Sequence, residues 1–199
     1  MSTLRLGKHL IPTAVNGPGR RFVLWLQGCP LHCKGCINPE FWDETGGQQV
    51  PVETLLEHIC ATPDIEGVTL TGGEPLVQAG ALLPLAQALQ QQRLSIVCYT
   101  GYRYEDILND KIPAAKALLP WIDILIDGPY EEAQKAPLLW RGSRNQRVLF
   151  LTERYQHLAP LAAVADHREA ELQVSGDGVN MTGIFDMALW RRLKEKLNR

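Results

Sequence analysis

The sequence has no long apolar run, little net charge and no recognisable secretory leader. None of its apolar stretches approaches the roughly 20 residues that cross a bilayer. The segment from Met1 to Pro12 carries charges and no continuous apolar core, so it does not resemble a signal peptide. A net charge of −2 gives no reason to expect binding to nucleic acid or to a membrane surface. We therefore expect partners that are neither nucleic acids nor membranes. The cysteines clustered between positions 29 and 36 favour a reducing, cytoplasmic setting.

Cysteine is scarce and unevenly placed, with five in 199 residues and three of them between positions 29 and 36. The odd number and the lack of a leader argue against a disulfide framework. The length and an apolar share of 45% predict one domain, residues 1–199, with a substantial core. Cys60 lies in a helical pattern and Cys98 in a strand-like one, and we expect both to be small buried residues.

The three clustered cysteines, Cys29, Cys33 and Cys36, have the spacing C-x3-C-x2-C. This spacing closes a short loop around one iron–sulfur cluster but supplies three thiolates, whereas structural clusters usually take four. One iron would stay free to bind another molecule, as in an open catalytic zinc site. A zinc site that includes His32 and a four-cysteine electron carrier are the alternatives. However, the sequence contains no second C-x2-C pair, and the next cysteine, Cys60, is distant.

Strand-like and helix-like segments alternate along the chain, which predicts an α/β fold with mainly parallel strands. The stretch 130–147 shows no clear periodicity. We predict strands over 22–27, 67–70, 94–99, 121–126, 148–151 and 172–174, and helices over 52–60, 79–92 and 185–197, with further helix at both ends of 104–119 and a helix start at Pro113. The polar and glycine-rich segments follow the predicted strands, where parallel α/β proteins place their sites.

A second motif, Gly72-Gly73-Glu74-Pro75, follows the apolar run 68–70. Because glycine lacks a Cβ, a ligand can approach the backbone at Gly72 and Gly73 closely. The alternative is a tight turn between a strand and a helix, with Glu74 as an acid at the helix start.

The cysteine loop and the Gly72–Pro75 motif, in this order and about forty residues apart, resemble the radical S-adenosylmethionine enzymes. The resemblance implies an incomplete (β/α)6 TIM-like barrel and a [4Fe–4S] cluster held by Cys29, Cys33 and Cys36. It further implies that S-adenosylmethionine binds the fourth iron. Gly72, Gly73, Glu74 and Pro75 would then contact the amino group of this cofactor, mainly through their backbone. A cluster with an open iron would be sensitive to oxygen.

Further segments resemble the glycyl radical activases, and in particular the group that acts on anaerobic ribonucleotide reductase. Asn16-Gly17-Pro18-Gly19-Arg20-Arg21 is similar to their D-G-P-G-x-R segment, with Asn16 where Asp is usual. Gly35 stands before the third cysteine, where many relatives in the superfamily have an aromatic residue. The resemblance extends to Asn38-Pro39, Trp42-Asp43, Tyr99–Tyr102, Asp127–Tyr130 and Trp140–Arg147.

The resemblance also implies roles for residues after the later strands. Thr100 and Asp127 would supply oxygens to a monovalent cation near the cofactor, although Asp127 could instead be an acid in a strand-ending turn. Ser175 and Asp177 would face the ribose or adenine of the cofactor, unless 175–178 is a plain glycine turn. The arginines of the Trp140–Arg147 segment would contact the cofactor or a partner, or form a solvated basic loop: Arg141, Arg144 and Arg147.

Three functions are compatible with these motifs. The first is an activase that makes a 5′-deoxyadenosyl radical and removes hydrogen from a backbone glycine of a glycyl radical enzyme such as anaerobic ribonucleotide reductase. Flavodoxin or a similar protein would donate the electron. The second is a radical enzyme that modifies a ribosomal peptide or a small metabolite. The third is a non-enzymatic iron–sulfur redox sensor or scaffold. Fold and cofactor alone do not fix the substrate.

Overall fold

Four parallel strands form the centre of the main sheet in the computed structural model, which describes residues 2–9, 12–164, 167–175 and 178–197. The strands are β1 (Thr3–His9), β2 (Arg21–Leu26), β3 (Gln48–Pro51), β4 (Gly67–Gly72), β5 (Ser95–Tyr99), β6 (Ile124–Asp127), β7 (Lys135–Leu138), β8 (Arg141–Ser143), β9 (Arg147–Phe150), β10 (Ala170–Ser175) and β11 (Gly178–Gly183). The helices are α1 (Val52–Ala61), α2 (Ala79–Gln91), α3 (Tyr104–Leu108), α4 (Ala115–Leu118), α5 (Ala159–Ala162) and α6 (Met187–Leu197).

The main sheet has seven strands in the order β3-β1-β2-β4-β5-β6-β9. Strands β2, β4, β5 and β6 are parallel, whereas β1 and β3 at one edge and β9 at the other are antiparallel to their neighbours. Two hairpins, β7–β8 and β10–β11, form separate two-stranded sheets. The sheet is open over the part of the chain that the structure describes. The predicted α/β class is confirmed, and the barrel form stays a prediction.

The main core lies between one face of this sheet and the helices that connect its parallel strands. Leu24 of β2 and Leu70 of β4 are buried there with Ile59 of α1 and Leu85 and Leu89 of α2. Since β2, β4, β5 and β6 are adjacent in chain order, right-handed crossovers place their helices on the same face. The opposite face is therefore left for other contacts, and it carries alternate residues of the same strands.

Arg21 lies on that opposite face, at the first position of β2, and its side chain is fully buried. Its guanidinium donates five hydrogen bonds. The acceptors are Thr69 Oγ1 (2.8 Å), Val68 O (2.8 Å), Ser95 O (2.9 Å), Ser95 Oγ (3.0 Å) and Pro18 O (3.0 Å). Because the planar guanidinium has donors on three nitrogens, one side chain joins β2, β4, β5 and the preceding turn. Arg21 thus ties together the amino ends of the parallel strands.

Most predicted elements are confirmed within one or two residues at their ends, and the differences have local causes. The strand predicted over 121–126 begins at Ile124, because Leu119–Trp121 forms a 3-10 turn. The helix predicted to start at Pro113 starts at Ala115, because Ala114 has a left-handed backbone with φ of 62°. Sequence reasoning missed β1, β3, β7, β8 and β11. Among the described residues, no helix is both long and apolar enough to cross a membrane.

Replacing Arg21 by Met should lower the free energy of unfolding by at least about 3 kcal/mol, since each buried polar group left without a partner costs about 1–3 kcal/mol. Urea unfolding followed by circular dichroism measures this loss. The neighbouring exposed Arg20 gives the matched control, and Arg20→Met should change stability by less than about 0.5 kcal/mol. Equal stabilities of the two variants would contradict the role assigned to Arg21.

Candidate active site around the cysteine loop

The cysteine loop begins directly after β2, and backbone hydrogen bonds fold the chain around it. Gly28 N–H donates to Phe41 O at 2.9 Å, and Cys29 N–H donates to Trp42 O at 3.1 Å. Within the loop, Cys36 N–H donates to Cys33 O at 3.1 Å. The 3-10 turn Pro39–Phe41 therefore returns the chain to the start of the loop. The sulfur-bearing residues lie at the carboxyl end of a central parallel strand, as predicted.

The three cysteines of the loop are free thiols with different exposure. Cys29 is buried, whereas Cys33 and Cys36 are partly exposed. Burial raises the pKa of the Cys29 and Cys36 thiols, while nearby backbone N–H groups oppose this shift. The donors are Leu31 and His32 at Cys29 and Asn38 at Cys36, where Asn38 N lies 3.4 Å from Cys36 Sγ. These N–H groups favour thiolates, which are the forms that bind metal.

The other two cysteines lie away from this loop. Cys98 of β5 is fully buried in the main core, which confirms the prediction for it. The prediction for Cys60 is wrong, because Cys60 is exposed at the end of α1. The buried face of this helix is formed by Val52, Leu55 and Ile59. Cys60 is the residue after Ile59, so it lies on a different side of the helix, which faces solvent.

The Gly72–Pro75 motif lies directly against the start of the cysteine loop. Gly73 N–H donates to Leu26 O at 2.7 Å, and Glu74 N–H donates to Gly28 O at 2.8 Å. A Cβ at Gly73 would lie 2.4 Å from Gly28 O, and one at Gly72 would lie 2.6 Å from Leu26 N and O. Both positions therefore require glycine, because the two backbones are in contact. Gly72 also has a φ of +102°, which side chains rarely adopt.

The Glu74 carboxylate points inward and is 1% exposed. Its Oε1 accepts hydrogen bonds from Leu76 N–H at 2.9 Å and Thr100 Oγ1–H at 2.8 Å, and its Oε2 accepts from Gly101 N–H at 2.7 Å. Burial raises the pKa of the Glu74 carboxyl to about 7, because lost hydration outweighs these hydrogen bonds. Pro75 is also buried, at the start of the 3-10 turn Pro75–Gln78.

Thr100 lies at the carboxyl end of β5 and connects the loops after β4 and β5 with strand β6. Its hydroxyl donates to Glu74, its oxygen accepts from Tyr102 N–H at 3.1 Å, and its own N–H donates to Ile126 O at 2.8 Å. The structure thus brings Thr100 into direct contact with the Gly72–Pro75 motif, while its predicted role as a cation ligand stays a prediction. The shared element is the Glu74 carboxylate, which links the loops after β4 and β5.

Asp127 is fully buried at the end of β6 and lies on the helix side of the sheet, like Leu125 two residues earlier. Its Oδ2 accepts from Tyr104 N–H at 2.8 Å and its Oδ1 from Arg147 Nε–H at 2.9 Å, with a second contact to Arg147. Arg147 also pairs with Glu105 at 2.8 and 2.9 Å, and this pairing lowers the pKa of Glu105 to about 2. The geometry of Asp127 favours a structural ion pair over a cation ligand.

The remaining arginines of the Trp140–Arg147 segment have other surroundings. Arg141 donates to Ala162 O at 2.5 Å and to Gln146 O at 3.2 Å. Arg144 is exposed, and its backbone N–H donates to Gln134 O at 2.9 Å. Arg141 is therefore held by hydrogen bonds to carbonyl oxygens, and Arg147 is held by ion pairs with Asp127 and Glu105.

A cavity of about 560 Å³ lies against the face of the sheet that the main-core helices leave free. Trp25, Thr71 and Tyr99 contribute to its wall from β2, β4 and β5. Other walls come from the cysteine loop, from the region of β7 and β8, from β11 and from the chain before α6: Gly35, Cys36, Ile37, Trp140, Met181, Thr182 and Phe185. The cavity thus extends from the cysteine loop to the hairpin β10–β11.

Asn16 is buried at this cavity and connects two of its walls. Asn16 O accepts from Thr69 Oγ1–H at 2.8 Å, and its Oδ1 accepts from Thr182 Oγ1–H at 2.8 Å. The amide oxygen of Asn16 therefore accepts the same hydrogen bond that one carboxylate oxygen of an Asp at this position could accept. Glu171 of β10 strengthens the same attachment, since it accepts from Thr13 Oγ1–H at 2.7 Å and Ala14 N–H at 3.1 Å.

The last predicted site segment is only partly described. Ser175 ends β10 and pairs with Gly178 of β11, while Asp177 lies outside the described residues. Val179, next along β11, lines the cavity. Sequence reasoning missed the cavity residues Trp25 and Met181. Strand parity could have identified Trp25, because it alternates with the core residues Leu24 and Leu26.

The cysteine loop fits an iron–sulfur cluster by its donor chemistry. It offers three free thiols with backbone N–H groups directed toward the sulfurs of Cys29 and Cys36. The buried indole Nε1 of Trp42, beside this loop, has no hydrogen-bond partner among the described residues. Within those residues, no three His, Cys, Asp or Glu side chains converge on a site for a single ion.

Comparison with known proteins places this site in a family. Residues 15–149 match the family described as the 4Fe-4S single cluster domain. The anaerobic ribonucleoside-triphosphate reductase-activating protein of Enterobacteria phage T4 is 37% identical over 142 residues, which cover 67% of this chain and 86% of that protein. Proteins of the same name from Haemophilus influenzae and Escherichia coli K12 are 36% and 34% identical over 143 residues, covering 67% of this chain and 90% of each relative.

The matched residues 15–149 contain the cysteine loop, the Gly72–Pro75 motif, Thr100 and Asp127. The hairpin β10–β11 and α6 follow this range and complete the cavity. The chain therefore belongs to the 4Fe-4S single cluster domain family and to the group of anaerobic ribonucleoside-triphosphate reductase-activating proteins within it.

Proposed function

We propose that this chain is a radical S-adenosylmethionine enzyme that activates a glycyl radical enzyme of the anaerobic ribonucleotide reductase type. The observation that carries the proposal is the direct backbone contact between the start of the cysteine loop and Gly73–Glu74. This contact places a three-thiol donor set directly beside the Gly72–Pro75 motif. Thr71, just before this motif, and Cys36 of the loop line the cavity. The names of the relatives supply the partner class.

Cys29, Cys33 and Cys36 would hold a [4Fe–4S] cluster, and Gly72, Gly73, Glu74 and Pro75 would hold S-adenosylmethionine beside it. When bound and reduced, the cluster would supply the one electron needed to cleave the sulfonium–C5′ bond of S-adenosylmethionine, with methionine and the 5′-deoxyadenosyl radical as products. The chain itself binds and orients these groups. Trp25 and Tyr99 give the cavity an aromatic wall that keeps water from a reactive intermediate.

The side chain of Glu74 would position the surrounding loops, and Glu74 would contact the cofactor only through its backbone. Its carboxylate oxygens are engaged by Leu76, Thr100 and Gly101, so its side chain fixes the loops after β4 and β5. The role of Thr100 in the site would then run through Glu74. The proposed monovalent cation at Thr100 and Asp127 has less structural support than the cluster and cofactor sites, because the Asp127 carboxylate is paired with Arg147. Ser175 and Asp177 are proposed to face the nucleoside part of the cofactor, next to Val179.

The open sheet, with its main-core helices on one face and the cavity on the other, supports an incomplete (β/α)6 barrel that forms a single domain over residues 1–199. A lateral opening would admit a polypeptide segment that carries the target glycine. Free thiols and an oxygen-sensitive cluster fit a reducing cytoplasmic setting with little oxygen. A flavodoxin or a similar protein would supply the electron.

Incubating the anaerobically reconstituted, reduced protein with S-adenosylmethionine and an anaerobic ribonucleotide reductase should produce a glycyl radical signal in electron paramagnetic resonance. Formation of 5′-deoxyadenosine should accompany the signal. A reductase with the target glycine replaced by alanine is the control and should give no glycyl radical. Cofactor cleavage without a radical on any reductase tested would contradict the partner assignment and favour a peptide or metabolite substrate. A loaded cluster that never cleaves the cofactor would favour a redox sensor.

Cys36→Ala should reduce formation of 5′-deoxyadenosine to the background of the unloaded protein, because a cluster with two thiolate ligands is not held in the site. Iron and sulfide content and product chromatography measure the two effects. Cys60→Ala removes an exposed thiol on α1 and should leave both at the wild-type level. Full activity of the Cys36 variant would disprove the assigned ligand set.

Glu74→Gln should change the pH dependence of stability in the cluster-free protein. Since the folded pKa of about 7 is above the ordinary 4.5, protonated Glu74 stabilises the fold fully below about pH 4.5 and this contribution is lost as pH rises through 7. Relative to wild type, the variant should therefore gain about 2.5 kcal/mol between pH 5 and pH 8, at about 1.36 kcal/mol per pKa unit.

Urea unfolding at several pH values tests this prediction, with the exposed Glu57→Gln on α1 as control. The control should track the wild type throughout. A constant difference between the Glu74 variant and wild type would show that the carboxyl has an ordinary pKa.

A further inference from the structure

Both backbone groups of Trp42 make hydrogen bonds, and one of these bonds joins Trp42 to the cysteine loop. Trp42 N–H donates to Pro39 O at 3.2 Å, and Trp42 O accepts from Cys29 N–H at 3.1 Å. The residue therefore has a fixed position relative to Cys29, although it comes six residues after Cys36 in the chain. Because its backbone is held in this position, the Trp42 side chain can interact with the site even though Trp42 is not part of the cysteine motif.

The indole ring is fixed as well. It lies against the imidazole of His32, with ring centroids 4.9 Å apart and an interplanar angle of 31°. His32 is itself inside the loop, between Cys29 and Cys33, and has a left-handed backbone with φ of 44°. The ring of Trp42 is thus packed on the loop that carries the sulfurs.

The indole Nε1 is buried and makes no hydrogen bond to any described residue. A buried N–H without a partner is rare in folded proteins because it has lost its hydrogen bond to water. Cys36 is the nearby acceptor: the Trp42 side chain lies close enough to act as a donor that opposes the rise in the pKa of the Cys36 thiol, although the indole N–H does not reach hydrogen-bond geometry with the free sulfur. A donor and an acceptor are therefore close to each other but are not joined.

Backbone N–H groups already donate toward two of the loop sulfurs. Asn38 N–H donates toward Cys36, and the N–H groups of Leu31 and His32 donate toward Cys29. Hydrogen bonds to cluster sulfurs stabilise the reduced form, which carries more negative charge, and so raise the reduction potential. An indole N–H would add to this effect from outside the loop.

We propose that the Nε1–H of Trp42 donates a hydrogen bond to the Cys36 sulfur once that sulfur binds the iron–sulfur cluster, and that this bond raises the reduction potential of the cluster. The inference rests on the proposed function, because it requires a cluster in the loop. Trp42 is then a positioning residue that tunes the cluster and does not touch the substrate.

The test uses potentiometric titration of the reconstituted protein without S-adenosylmethionine, so its readout does not depend on activity. Trp42→Phe should shift the midpoint potential to a lower value, because the N–H is lost. Incorporating β-(3-benzothienyl)alanine at position 42 should give the same shift. This analogue keeps the bicyclic shape and replaces only the N–H by sulfur, so it separates the hydrogen bond from packing. Trp121→Phe, at the opposite end of the strands, is the matched control and should keep the wild-type potential.

Electron–nuclear double resonance of the reduced cluster gives a direct second readout. Protein labelled with ¹⁵N at the indole nitrogen should show a ¹⁵N coupling that Trp42→Phe removes and Trp121→Phe retains. Unchanged potentials in both position-42 variants would overturn the inference. If the same wild-type protein cleaves S-adenosylmethionine, that result would leave the proposed function intact.

Discussion

The contact between two backbones, Leu26–Cys29 and Gly72–Glu74, is the constraint on which the site depends. Parallel pairing of β2 with β4 places Leu26 opposite Gly72, so the loops that follow both strands leave the sheet side by side. Two hydrogen bonds then join the loops, and the missing side chains at Gly72 and Gly73 allow the approach. A larger residue at either position would separate the thiols from the segment that we propose binds the cofactor.

Buried polar groups fix both ends of the parallel strands around this contact. At the amino ends, Arg21 joins three strands through five hydrogen bonds. At the carboxyl ends, Glu74 joins the loops after β4 and β5. Such networks are useful because fully satisfied polar groups rigidify their surroundings, whereas apolar packing alone tolerates small shifts. A rigid frame suits a site whose groups must keep a defined geometry.

The hairpin β10–β11 completes the cavity, and polar side chains attach it to the rest of the protein while several of its apolar side chains are exposed or line the cavity. Its polar residues Glu171 and Thr182 attach it to the chain around Thr13 and Asn16. Leu172 and Val174 remain 48% and 76% exposed, and their cross-strand partners Met181 and Val179 line the cavity. Hydrogen bonds therefore hold the hairpin in place where apolar burial usually would. The hairpin also explains why Asn16 is compatible with the turn before β2, since its amide oxygen accepts from Thr182.

The sequence by itself determined the α/β alternation, the cysteine loop, the glycine motif and the main-core strands, because each depends on local spacing or on a run of apolar residues. Tertiary structure decided which side of the sheet each polar residue faces. It paired Asp127 with Arg147 on the helix side, used the Glu74 side chain inside the loops, exposed Cys60 and brought Trp42 onto the cysteine loop. These outcomes depend on strand register and on partners far apart in the chain, which local spacing cannot specify.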